Sequence, residues 1–99
     1  MKISVRRSGG FAGLTENIVD LNTTQLNTAA AQQVEQLVQS LRFFDLPATI
    51  SGGGIGADFF HYEITVTQGD RQHTTAFDDD DSPVTAPLRR FVEALIQMR

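Results

Sequence analysis

Cysteine and tryptophan are both absent from the 99-residue sequence. Without cysteine the chain has no disulfide to stabilise it and no thiolate to serve as a nucleophile or a zinc ligand, so an apolar core must hold the fold together. The absence fits a reducing cytosol, and we expect a cytoplasmic protein. Export without a leader stays open, because a core of adequate size needs no disulfides.

Long apolar runs are absent as well. No stretch of the sequence approaches the ~20 apolar residues that a membrane-spanning helix requires. Residues 1–7 carry scattered charges and lack the apolar segment of a signal peptide. We therefore expect no signal peptide and no association with a membrane.

Positive charge is scarce, since 8 Lys and Arg residues stand against 12 Asp and Glu residues, a net charge of −4 at pH 7. Binding to nucleic acid needs a basic surface that neutralises phosphates, so nucleic acid is not an expected partner. The 40% hydrophobic and 20% charged composition is that of an ordinary globular domain with one core. We expect a single monomeric domain covering residues 1–99.

A first β-hairpin is predicted near the N-terminus, where apolar and polar residues alternate over residues 2–7. We interpret the pair Gly9-Gly10 as its turn. That turn places Val5 opposite Leu14, and continuing the register requires a bulge or a wider loop within residues 12–15.

A helix is predicted next, over residues 22–41, with Asn22 and Gln25 resembling a capping box. Its apolar residues recur every three or four positions, as on one face of a helix: Leu26, Ala30, Val34, Leu37, Val38 and Leu41. The helix must end before Pro47. Residues 45–58 are interpreted as a loop.

A second hairpin and a second helix complete the chain. Alternation over residues 58–67, followed by Gly69-Asp70, predicts a hairpin with Val66 opposite His73. The last helix is predicted from about Ala86, with an apolar stripe formed by Leu88, Phe91, Val92, Leu95 and Ile96.

The predicted fold is α+β, in the order ββαββα, with a four-stranded antiparallel sheet and two helices packed on one face. Following the chain up and down this arrangement brings three irregular segments to one end of the domain: the Gly9-Gly10 turn, the 45–58 loop and the acidic run at residues 78–81. Loops gathered on a rigid scaffold commonly form a binding face.

Motifs for catalysis or for a bound group are not found. The glycine cluster at residues 52–56 lacks the Lys and the following helix of a phosphate loop. Counting an EF-hand from Asp78 puts Pro83 at the glycine position and Arg89 at the glutamate position, so a calcium loop is excluded. The predicted register separates the two histidines, which argues against zinc. We expect no cofactor, no metal site of the chain's own and no enzyme activity.

Three segments keep two interpretations each. The acidic run is either a solvated linker that favours the start of the last helix or a functional cluster. The 52–56 glycine cluster is either a plain connector or a loop that adapts to a partner. Phe11 is either folded back onto the first helix or exposed as an aromatic anchor for an interface. A carboxylate pair between Asp58 and the acidic run is the remaining route to an enzyme.

Four segments carry a family resemblance: Arg6-Arg7-Ser8-Gly9-Gly10-Phe11-Ala12-Gly13-Leu14, Leu41-Arg42-Phe43-Phe44, Tyr62-Glu63-Ile64-Thr65-Val66 after Asp58, and Pro87-Leu88-Arg89-Arg90-Phe91. Together they resemble the emfourin family over most of the chain. Those are small bacterial proteins that inhibit thermolysin-like zinc metallopeptidases of the protealysin kind. Gly-Gly-Phe-Ala-Gly is the most specific of these motifs.

The resemblance implies an inhibitor of an enzyme whose zinc keeps one coordination position open for water or substrate. We hypothesise that an aspartate near the loop-bearing end approaches this position with an anionic oxygen. Asp58 is the first candidate for this ligand, and the acidic run supplies the second. For the apolar contacts Phe11 and Leu14 come first, then Ile55. The full candidate surface comprises Gly9, Gly10, Phe11, Ala12, Gly13, Leu14, Gly54, Ile55, Asp58, Asp78 and Asp79. The alternatives are a non-inhibitory interaction module that uses the same end and, third, a small-molecule enzyme.

Overall fold

The structure, a computed structural model, describes residues 1–9, 14–50 and 59–99. This part of the chain forms five strands and two α-helices: β1 Lys2–Gly9, β2 Glu16–Asn22, α1 Thr28–Leu41, β3 Thr49–Ile50, β4 Phe60–Gln68, β5 Arg71–Asp78 and α2 Ala86–Met98. Two 3-10 turns flank α1, at Thr23–Gln25 and Phe43–Asp45. The predicted α+β class with two helices is confirmed.

The sheet has the strand order β2-β1-β4-β5-β3. All its pairs are antiparallel except β3 with β5, which is parallel. The prediction of four strands in the order ββαββα is therefore wrong in detail, since a fifth strand lies within the predicted 45–58 loop. Two residues are too few to show an alternating pattern, which is why the sequence did not reveal this strand.

Hydrogen bonds from β5 hold the segment before and within β3. The His73 Nε2–H donates to the Leu46 carbonyl at 2.7 Å, and the Thr75 hydroxyl donates to the Pro47 carbonyl at 3.1 Å. The Ala76 N–H donates to the Ala48 carbonyl at 2.8 Å. These bonds run a stretch of chain along the outer edge of β5, so much of that edge is covered rather than open to another sheet.

The first hairpin differs from its prediction. β1 continues through Gly9, which pairs with Phe60 of β4, and β2 begins at Glu16 opposite Arg7. Val5 lies opposite Val19 and not Leu14. The two-residue turn and the Val5–Leu14 pair are therefore wrong, because β4 extends the pairing of β1 past the expected turn.

The wider loop predicted as the alternative to a bulge is confirmed, since Arg7 pairs with Glu16 and eight residues separate them. A bulge is present as well, further along β2. Val5 pairs with Val19 and the next residue, Arg6, pairs with Asn17, so Ile18 is the extra residue of β2. The Arg99 guanidinium donates to the Ile18 carbonyl at 2.6 Å, which satisfies a backbone group on the open side of the edge strand.

The second hairpin has the predicted register: Val66 lies opposite His73, Ile64 opposite Thr75 and Tyr62 opposite Phe77. Gly69 in its turn has φ +59°, a left-handed conformation that glycine adopts without strain. The two-residue turn fixed the register, and the alternation fixed which face is buried.

Helix α1 begins at Thr28 and not at Asn22. The Asn22 side chain accepts from the Thr24 N–H and caps the short 3-10 turn, whereas the Asn27 side chain accepts from the Ala30 N–H at 2.8 Å and caps α1. Two asparagines five positions apart both carry a capping signal, and Leu26 is extended between them. The predicted helix therefore divides into a turn and a shorter helix.

The C-terminal end of α1 lies at the opposite end of the sheet from the acidic run. Val38 and Arg42 line a pocket together with Met1 and Arg71, which belong to that opposite end. The prediction that α1 carries the chain to the loop-bearing end is therefore wrong. Residues 46–50, which run along β5, carry the chain to that end instead. There Ile50 lies opposite Phe77.

The core lies between one face of the sheet and the two helices, as predicted. Its buried apolar residues come from every long element: Ile3, Val5, Ile18, Val19, Leu21, Val34, Val38, Phe43, Ile64, Val66, Phe77, Leu88, Phe91, Val92 and Leu95. Burying this area supplies most of the folding free energy of such a domain. The opposite sheet face bears polar side chains, including the hydrogen-bonded pair Thr65 and Thr74.

Candidate functional site at the loop end

All five strands of the described residues start or finish at one end of the sheet, which we call the loop end and define by Gly9, Glu16, Ile50, Phe60 and Asp78. Gly9 pairs with Phe60, and His61 pairs with Asp78. The Asp79 N–H then donates to the Phe60 carbonyl at 2.9 Å. The described residues that flank segments 10–13 and 51–58 lie here, and the acidic run begins here. The predicted 45–58 loop is corrected in part, because Asp45 lies at the opposite end beside Arg71 and only the later part of the segment, from Ile50, adjoins this end.

Several candidate residues lie outside the described part of the chain, and these stay predictions: Gly10, Phe11, Ala12, Gly13, Gly54, Ile55 and Asp58. The described candidates are Gly9, Leu14, Asp78 and Asp79. Gly9, Asp78 and Asp79 belong to the loop end itself, and Leu14 lies two residues before the start of β2.

The backbone conformation at position 9 requires a glycine. Its φ of +103° lies in a region that side-chain-bearing residues rarely adopt. A Cβ at this position would lie 2.8 Å from the Phe59 carbonyl oxygen and 3.3 Å from the His61 ring. The glycine therefore permits the close approach of β1 and β4 where both strands reach the loop end.

Large apolar side chains are exposed at this end. Among the described residues, three such side chains are exposed: Leu14 at 65%, Phe60 at 40% and Val84 at 59%. Leu14 precedes β2, Phe60 begins β4, and Val84 lies in the connection from β5 to α2. Exposed apolar residues concentrated at one place mark an interaction surface more clearly than scattered ones do.

Sequence reasoning missed Phe60 as a surface residue. The alternation of β4 assigns it to the same face as Tyr62, Ile64 and Val66, and the last two are buried. Phe60 is exposed because it is the first residue of the strand, at the margin of the core. Its place at the strand end is the signal that could have identified it.

Arg7 lies against Phe60. Its guanidinium carbon is 4.8 Å from the centre of the Phe60 ring, a cation–π arrangement. The Arg7 Nη2 donates to Glu16 Oε2 at 2.9 Å, and this hydrogen bond raises the pKa of Arg7. The next residue on this face, Tyr62, stacks on Phe77 with ring centres 5.1 Å apart. Phe60, Arg7 and Glu16 are therefore joined by direct side-chain contacts.

The acidic run is tied to the rest of the protein. Asp78 Oδ1 is hydrogen-bonded to His61 Nδ1. The Arg89 Nη1 donates to Asp79 at 3.3 Å and to Asp81 at 2.9 Å. The hydrogen bond to Asp79 is the main cause of a raised pKa of Arg89. These contacts favour the interpretation that the acidic run supports the start of the last helix. The run does so as a structured connection and not as a solvated linker.

Asp80 anchors this connection from within. Its Oδ1 accepts the Ser82 N–H at 3.1 Å and the Thr85 hydroxyl at 3.0 Å. Thr85 is fully buried just before α2. The Ala86 N–H donates to the Ser82 carbonyl at 3.1 Å, so helix-type hydrogen bonding already begins at Ser82. The connection is therefore rigidly attached to α2.

The histidines lie apart, as predicted. His73 is half-buried, and its ring lies 5.6 Å from that of Phe43 in an edge-on contact. His61 is exposed on the other sheet face beside Asp78. No group of three His, Cys, Asp or Glu side chains suited to a metal ion occurs among the described residues.

Comparison with known families gives a match to the Emfourin family model over residues 5–95. The chain therefore belongs to the emfourin family. Emfourins are an inhibitor family, and membership implies a metallopeptidase inhibitor role in general, with a metallopeptidase as partner. No curated protein and no solved structure matches the chain. Neither helix of the described segments has both the length and the apolar character needed to cross a membrane.

Proposed function

We propose that this protein inhibits a thermolysin-like zinc metallopeptidase of the protealysin type by placing its loop end in the active-site cleft. The observation that carries the proposal is the concentration of features at that end. Three connections adjoin this end of the sheet, one of them contains the acidic run, and the exposed large apolar side chains of the described residues lie in or beside them. An interface of ordinary size needs roughly 800 Å² from each partner, which one end of a domain this small can supply.

The zinc of a thermolysin-like enzyme has three protein ligands and one open position for water or substrate. We propose that an aspartate of the loop end approaches this position. Asp58 is the preferred candidate. The carboxylates of Asp78 and Asp79 already contact His61 and Arg89, so using either one would break an existing contact.

The test of the ligand role compares Asp58 with an aspartate at the other end of the molecule. Replacing Asp58 with Asn removes the charge and retains the shape, and we expect inhibition of a thermolysin-like peptidase to weaken tenfold or more, about 1.4 kcal/mol or more of binding free energy. Asp70→Asn in the β4–β5 turn is the matched control and should leave the inhibition constant unchanged. Equal potency of the Asp58 and Asp70 variants would remove Asp58 from this role.

The second candidate function is a non-inhibitory interaction module that uses the same end of the sheet. Titration of a thermolysin-like peptidase with the purified protein separates the two functions. An inhibitor abolishes turnover near one equivalent, whereas an interaction module binds without slowing peptide hydrolysis.

A further inference from the structure

Phe60 differs from the other residues of its strand face. It shares the face of β4 that carries the core residues Ile64 and Val66, which are fully buried, yet it is 40% exposed. The other two exposed apolar residues, Leu14 and Val84, lie in connections that border the same end. Phe60 therefore lies at the edge of the core, beside connections that are predicted to touch a partner. Its ring can add to the contact between those connections and the partner.

The ring is also held in place before any partner arrives. The Arg7 guanidinium lies 4.8 Å from the Phe60 ring centre and is itself bound to Glu16 at 2.9 Å. The Phe60 carbonyl accepts the Asp79 N–H at 2.9 Å, which fixes the backbone. Side chains that are ordered in the free protein lose less entropy on binding. Aromatic and arginine side chains are also the types that most often dominate binding free energy.

Charge indicates what the partner presents. The acidic run and Glu16 make carboxylates more numerous than cations among the described residues of this end, and Arg7 is a positive position within it. An arginine has five N–H donors, and the hydrogen bond from Arg7 Nη2 to Glu16 uses one of them. A partner surface that complements Arg7 and Phe60 has a carboxylate that binds the guanidinium and, beside it, an apolar hollow that accepts the Phe60 ring.

We infer that Phe60 and Arg7 form an anchoring contact on the rim of the peptidase's active-site cleft, with the ring in an apolar hollow and the guanidinium bonded to a peptidase carboxylate. This inference rests on the proposed function. It assigns to residues of the sheet itself a part of the affinity that the connections alone would otherwise carry. Such a contact also sets specificity, since a peptidase without the carboxylate would bind Arg7 less well.

The chain contains a matched control pair. At the opposite end, the Arg71 guanidinium lies 4.2 Å from the Phe44 ring, an arrangement of the same chemistry in a place that the proposal leaves free. Inhibition constants are measured for Arg7→Gln and Arg71→Gln under identical conditions, together with Phe60→Ala and Phe60→Tyr. Thermal denaturation of each variant checks that it is folded.

The expected results follow from the contact. Phe60→Ala weakens inhibition about tenfold or more, and Phe60→Tyr, which keeps the ring, stays within about twofold of the wild type. Arg7→Gln weakens inhibition about threefold to tenfold, and Arg71→Gln has no effect. The double variant of Arg7 and Phe60 loses less than the product of the single effects, because the two side chains act together.

Two outcomes overturn the inference in different ways. If the wild type inhibits and Phe60→Ala inhibits equally well, the rim contact is wrong and the proposed function stands. If the wild type neither binds nor inhibits, the proposed function fails and this contact fails with it. Should the alanine variant be unfolded, Phe60→Leu replaces it, with a loss of about threefold expected and an unchanged constant counting against the contact.

Discussion

At the scale of single residues, the protein's loop end depends on positions that tolerate little change. Gly9 has a positive φ, and the space of its missing side chain is occupied by the Phe59 carbonyl. The glycine pair was prominent in the sequence, but its role differs from the predicted turn. It allows two neighbouring strands to approach closely at the edge of the candidate surface.

Replacing Gly9 with Ala is expected to lower the free energy of unfolding by on the order of 2–3 kcal/mol, because it adds backbone strain and a contact with a carbonyl oxygen. Gly69→Ala is the control, since Gly69 also has a positive φ but no atom within 4 Å of the added Cβ. It should lose only about 1 kcal/mol. Urea denaturation of both variants measures the difference, and an equal loss at the two sites would show that the approach of β1 to β4 costs nothing.

At the scale of elements, the acidic connection between β5 and α2 is the segment whose observed structure differs most from what its sequence suggests. Four consecutive aspartates suggest a solvated segment. Because Asp80 accepts from Ser82 and Thr85, and Arg89 bonds to the aspartates on either side of it, the segment is instead a structured connection attached to the start of α2.

Replacing Thr85 with Val keeps its shape and removes the hydroxyl that donates to Asp80, so we expect a loss of about 1–3 kcal/mol in the free energy of unfolding. Thr75→Val is the matched control, because Thr75 is equally buried and donates to the neutral carbonyl of Pro47. The loss should be larger for Thr85, whose hydrogen bond has a charged acceptor. Chemical denaturation measures both, and a larger loss for Thr75 would contradict the anchoring role of Asp80.

The elements also show which parts of this fold sequence patterns determine. The second hairpin was predicted with its register because a two-residue turn between alternating segments leaves one consistent pairing. The start of α1 was misplaced because Asn22 and Asn27 both suit a cap, and only tertiary contacts decide between them. β3 could not be predicted, since its two residues are fixed by hydrogen bonds from β5 and not by a pattern of their own.

The same reasoning applies to the candidate site. Leu14 could be identified from the sequence as an apolar residue in an irregular segment, and the acidic run as a charged one. The surface exposure of Phe60 could not, because it depends on where the core ends and not on the alternation that places the residue on the inner face. Arg7 and Phe60 are more than fifty positions apart in the sequence. Their contact could not be predicted, because it depends on the pairing of β1 with β4.

At the scale of the whole molecule, the two ends of the sheet differ in kind. The loop end combines the carboxylates of the acidic run with exposed apolar side chains, whereas the opposite end has a pocket of about 320 Å³ lined by Met1, Arg42, Phe44 and Arg71 among others. The core between them is continuous, so the loop end is presented on a rigid body. A rigid body with one specialised end suits the obstruction of a cleft.

The proposed function requires that the loop end, and no other surface, meets the peptidase. Backbone amide chemical shifts of the isotope-labelled protein, recorded with and without an equimolar thermolysin-like peptidase, show which residues lie at the interface. We predict that resonances change at Leu14, Phe60, His61, Asp79 and Val84 and stay unchanged at Gln68, Gly69 and Arg71. Changes confined to the Gln68–Arg71 end, or to the polar sheet face, would show that the loop end is not the binding surface.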